Sequence, residues 1–105
     1  MKPITLDTII LPVIGWVYDF KKDNNRLPDS LEDLIANKSE KRDYDSGRVI
    51  ARHQKNGFNF IYQIKATTGF EIKITKDNDA AVYDSAADTL SLYKDDTLLD
   101  QIKLN

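Results

Sequence analysis

The spacing of apolar residues changes once along this chain, and that change limits the folds open to it. Val13, Trp16, Val17 and Phe20 stand at i, i+3, i+4 and i+7, the spacing of one face of a helix. From Phe58 onward the period is two. Phe58, Phe60, Tyr62 and Ile64 alternate with Asn59, Ile61, Gln63 and Lys65, and Phe70, Ile72 and Ile74 alternate with Glu71, Lys73 and Thr75, as in half-buried strands. Turn-forming stretches at 76–79, 85–88 and 94–97 then separate Ala81-Val82-Tyr83, Leu90 to Tyr93 and Leu98 to Leu104. Turns at this interval predict a meander. The expected fold class is α+β: an N-terminal helix and a second short helix packed on an antiparallel meander sheet of about four to six strands. The strands at 58–65 and 70–75 are expected at its centre, joined through the short connection at 66–69 as a hairpin. A sheet with one crossover would give the same alternation.

The first helix is expected from about Pro12 to Asp23, because proline suits a first turn and clashes in a helix interior. Asp7 or Thr8 would cap a short turn before it. Ile14 and Tyr18 widen its apolar side, which suits a sheet beneath it, with Trp16 as a core anchor. Lys21 and Lys22 favour the negative end of the helix dipole, and Asn25 is the expected left-handed terminator. Pro28 stiffens the approach to a second helix of about two turns, where Asp29 with Glu32 or Ser30 with Asp33 has capping-box spacing. Leu31, Leu34 and Ile35 give its buried face and Asn37 its end. Lys38 to Gly47 reads as a charged surface loop. Val49, Ala51 and His53, alternating with Arg48, Ile50 and Arg52, read as a first, weaker strand.

With 105 residues the chain makes one domain with its own core, too short for a second. It has no cysteine, so a disulfide framework, a thiolate metal site and a cysteine nucleophile are excluded. Residues 1–65 hold 11 Lys and Arg against 9 Asp and Glu, and residues 66–105 hold 4 against 8. Neither half shows the clustered basic stripe of a nucleic-acid binder, so no nucleic-acid partner is expected. The most apolar run, Ile9 to Val17, contains Pro12 and Gly15 and falls short of the roughly 20 residues of a membrane span. Asp7 interrupts the approach to it and no small-residue cleavage site follows, so no secretory signal is read. A chain trimmed of such a segment would look the same.

Catalytic groups are thin. His53 is the single histidine, flanked by Arg52 and Gln54; it is expected to stay neutral and to be a structural or surface residue, and a zinc site would need further ligands. No serine sits in a nucleophile elbow and no glycine-rich phosphate loop is present. The one cluster with cation chemistry is acidic: Asp77, Asp79 and Asp84, with Asn78 and Asp88 nearby. Asp77 and Asp79 supply two oxygen ligands at calcium-loop spacing, but the sixth position is Val82 where the loop needs glycine, and the twelfth is Asp88 where it needs glutamate. Solvated turn residues account for them better, and a small hydrolase built on them is not expected. No cofactor is expected. Tyr44, Tyr62, Tyr83 and Tyr93 are the candidates for an exposed patch that would grip a protein partner.

Val17 to Leu34 carries a resemblance. Tyr18 and Phe20 lie on the first helix, Lys22-Asp23-Asn24-Asn25-Arg26-Leu27-Pro28 forms the turn, and Ser30-Leu31 with Leu34 opens the second helix. This resembles the point in type IV pilins and type II secretion pseudopilins where the long N-terminal helix ends, runs into a Lys-Asp-Asn-Gly-Arg-Tyr-Pro-like turn and continues into a short Ser-Leu-x-x-Leu-like helix. Asn25 stands where glycine is common and Leu27 where tyrosine is common, and the family's processed hydrophobic start is absent. The resemblance implies a non-enzymatic structural or assembly subunit, extracytoplasmic or at the cell surface, lacking its N-terminal hydrophobic helix, with like subunits as partners and membrane contact only through that missing segment. The alternative is a small protein-binding module of the lipoprotein or immunity type that grips one partner through a sheet face or edge; such a module would also suit the cytoplasm.

Overall fold

A computed structural model describes residues 6–36, 46–65 and 69–104. Three helices precede five strands: α1 (Leu6–Asn24), α2 (Leu31–Ala36), α3 (Ser46–Lys55), β1 (Asn59–Lys65), β2 (Gly69–Lys76), β3 (Asp79–Asp84), β4 (Thr89–Lys94) and β5 (Thr97–Lys103). All neighbouring strands pair antiparallel in the order β1-β2-β3-β4-β5. This is the expected α+β meander, without a crossover. In a simple meander the first strand lies at an edge, so β1 is an edge strand and β3 is the centre, contrary to the expectation from its strong alternation.

The helices form one layer on one face of the sheet. α1 lies across β2 and β3, α2 touches α1 and α3, and α3 reaches β1. Between the layers α1 buries Ile9, Ile10, Val13, Ile14, Trp16, Val17 and Phe20 against Phe70, Ile72, Ile74, Ala81, Tyr83 and Leu90. The register sets this face: Tyr62, Ile72, Tyr83, Leu90 and Ile102 form one cross-strand row, and Phe60, Ile74, Ala81, Leu92 and Asp100 the next.

α1 begins six residues before the expected start and holds Pro12 in its interior. Burying Ile9 and Ile10 stabilises by about 1.5–3 kcal/mol each, which outweighs the roughly 3 kcal/mol cost of an interior proline. Pro12 sits on the exposed side of the helix, so its ring takes no place in the core. The end of the helix is as read. Asn25 takes φ 57° and donates its N–H to the Lys21 carbonyl at 2.8 Å, while the Arg26 guanidinium covers the Phe20 ring at 5.1 Å. Ser30 Oγ accepts from the Asp33 N–H at 3.2 Å, and Asp33 Oδ2 accepts from the Asp29 N–H, so the cap of α2 uses the expected residues.

The expected weak strand at 48–53 is helix α3, and Ser46 and Gly47, assigned to the loop, open it. Two apolar residues are too few for the alternation to carry weight. The deciding signal is Gly57. It adopts φ 98° and donates to the Gln54 carbonyl at 3.1 Å, while the Phe58 N–H donates to the His53 carbonyl at 3.1 Å. These two bonds are a Schellman stop, sealed by the His53 and Phe58 rings meeting edge to face at 5.6 Å. The expected end of α2 at Asn37, the loop at 38–45 and the connection at 66–68 lie outside the described residues.

Candidate interaction surface

The acidic residues do not assemble. Asp77 and Asp79 flank the β2–β3 turn, whereas Asp84 closes the other end of β3, where it pairs with Glu71. Five residues at about 3.4 Å each separate Asp79 from Asp84, so the suggested calcium set is divided between opposite ends of the sheet. Among the described residues no group of three or more His, Asp or Glu is placed to hold a metal. Asp77, Asp95 and Asp96 take positive φ, which supports the turn reading. His53 packs in a half-buried position against Phe58 and Phe60; burial first, then the Arg52 charge, lower its pKa, so it stays neutral as expected.

The tyrosines divide. Tyr83 is wholly buried in the core and is not a surface anchor. Tyr62 is half-buried and donates its hydroxyl to the Pro28 carbonyl at 2.7 Å, tying β1 to the α1–α2 turn. Tyr93 stands half-exposed near the β4–β5 turn, and Tyr44 lies outside the described residues. Tyr83 anchors a polar chain that sequence reasoning missed. Its hydroxyl donates to Asp88 Oδ1, so the Tyr18 hydroxyl, 2.7 Å away, is the donor in the bond between the two tyrosines. Burial first, then the bonds to Asp88 and Tyr18, push the Tyr83 pKa far up. Asp88 Oδ2 is buried without a partner among the described residues.

Among the described residues, one unfinished surface is the wing formed by β4 and β5. α1 lies over β2 and β3 and its layer also covers Leu90 of β4, so beyond Leu90 the helix-side face of the sheet has little cover. That face carries Leu92, Leu99, Asp100, Ile102 and Leu104, of which Leu99 is 64%, Ile102 39% and Leu104 37% exposed. Of α1, Leu6 and Asp7 reach the wing's end. At one end the wing opens into a hollow of about 530 Å³ with an apolar floor of Leu6, Phe58, Ala80, Leu92 and Leu99. Asp7, Asp77, Asp79, Lys76 and Lys94 rim it, and the Lys76 ammonium lies 4.5 Å over the Phe58 ring. No protein-family model, curated protein or solved structure matches this chain.

The free edge of the wing is poorly built for strand addition. A bulge at Leu92/Tyr93 shifts the register of β5, leaving Leu99 as the extra residue, and Asp100 and Lys103 interrupt the strand. Bulges and edge charges of this kind discourage edge-to-edge pairing. The signal in the sequence was the adjacent pair Leu98-Leu99, which breaks strict alternation. No described helix is long and apolar enough to cross a membrane.

Proposed function

We propose that this chain is the globular part of a non-enzymatic, pilin- or pseudopilin-like structural or assembly subunit, displayed outside the cytoplasmic membrane. The observation that carries this reading is the course of residues 17–34. An aromatic-bearing helix lies on an antiparallel meander, ends at Asn25 in a left-handed residue, and passes through Pro28 into a short helix capped by Ser30. This is the order of elements that the resemblance implies. The test is the intact mass and cell fraction of the native protein. A mass exceeding 12.0 kDa by an apolar segment of about 20 residues, in the membrane or sheared-surface fraction, is the expected outcome. A soluble protein of 12.0 kDa overturns it.

A second reading, a protein-binding module that needs no further helix, is favoured by the wing. Three of the exposed large apolar residues, Leu99, Ile102 and Leu104, lie on or just past β5 within the wing, and such patches mark interaction sites. Substituting Ile102 and Leu104 together by serine should remove binding to its partner while leaving the fold intact.

A further inference from the structure

We propose that the β4–β5 wing is the docking site for one amphipathic helix of a protein partner, its apolar stripe laid beside α1 and its flanks basic. This goes beyond the reading above, because a surface-displayed subunit and a free-standing module would both present the wing.

α1 lies over β2 and β3 and its layer also covers Leu90 of β4, so the open strip is β5 with the Leu92 end of β4. An added helix, about 10 Å across with its side chains, would rest on β5 beside α1. The occupant would rest on Ile102, Leu104 and Leu99 and would send a bulky side chain into the hollow lined by Leu6, Phe58 and Leu92. A helix completes the existing layer, whereas strand addition meets the bulge and charges of β5. Charge selects the flanks. Asp77 and Asp79 rim the hollow and Asp100 stands on the helix-side face of β5, against Lys76 and Lys94. Three carboxylates facing two ammonium groups favour Lys and Arg on the partner.

The test uses two synthetic peptides of about 16 residues with leucine at i, i+3, i+4 and i+7, one with lysine and one with glutamate at the flanking positions, titrated into the ¹⁵N-labelled chain. The expected result is saturable shifts of the Leu92, Leu99, Ile102 and Leu104 amides with the lysine peptide, and affinity lower by about tenfold or more for Ile102→Lys or Leu99→Lys. Both positions are exposed, so both variants should keep the melting temperature of the parent, and a melt checks this. Shifts elsewhere, no shifts, or equal binding of the glutamate peptide would overturn the proposal. So would sedimentation showing a dimer that Ile102→Lys dissociates, since the occupant would then be a second copy.

Discussion

Removing the Tyr62 hydroxyl tests how β1 is fastened to the helical layer. The hydroxyl donates to the Pro28 carbonyl at 2.7 Å, and Pro28 is fully buried. Tyr62→Phe keeps the ring against Phe70, whose centroid is 6.0 Å away, and deletes only the donor. A neutral hydrogen bond contributes about 0.5–1.5 kcal/mol net, and a buried carbonyl left without a donor costs about 1–3 kcal/mol. The expected loss at pH 7 is therefore about 1.5 kcal/mol, or a fall in melting temperature of about 8 °C for a domain of this size. The effect should depend on pH. Burial first, then Asp29 and Asp33, push the Tyr62 pKa from 10.0 up to about 12. The folded chain thus keeps a proton that the unfolded chain sheds from about pH 10, so this stabilisation is complete below about pH 10 and drains away toward about pH 12. Urea melts of both proteins at pH 7, 9 and 11 measure it. Groups common to both proteins cancel in the difference, which should narrow at pH 11. A difference below about 0.5 kcal/mol at pH 7, or one as large at pH 11, would refute the reasoning.

Two glycines should respond in opposite directions to alanine. A methyl at Gly15 meets nothing within 4 Å, so Gly15→Ala should stabilise by about 0.5–1 kcal/mol through helix propensity, whereas Gly57→Ala should destabilise by about 1 kcal/mol or more because φ 98° strains any side chain; urea midpoints decide both. Tyr83→Phe leaves the Tyr18 hydroxyl without its acceptor and Asp88 without its donor, and should cost about 2 kcal/mol in the same melts. Calcium at millimolar concentration should leave the melting temperature unchanged, because Asp84 lies at the opposite end of β3 from Asp79. A ligand present at about 100 times its dissociation constant would instead add about 2.7 kcal/mol.

The candidate surface was only partly legible. Leu98 to Leu104 was readable as a last strand, but alternation within one strand does not show whether another element covers its apolar face. α1 packs chiefly on β2 and β3 and leaves Leu99 and Ile102 of β5 exposed, which follows from the width of a single helix against five strands. The four tyrosines were alike in the sequence because all carry the same amphipathic side chain. Register placed Tyr83 in the central strand, in line with Ile72 and Leu90, and edge position left Tyr62 half-exposed.

What the sequence determined by itself was local. The helical face of α1, the left-handed stop at Asn25, the Ser30 cap and the alternation of β1 through β5 rest on interactions within a few residues, and each lies where its residues direct. The tertiary structure decided what depends on distant partners. It extended α1 back past Pro12, because a sheet beneath it rewards burial of Ile9 and Ile10. It made 46–55 a helix, since Ile50 had a core to enter and Phe58 a histidine ring to seal. It also separated Asp77 from Asp84 by the length of β3 and left β5 uncovered. Turn chemistry is set by the nearest few atoms, whereas burial is set by whatever else the chain brings to the same place.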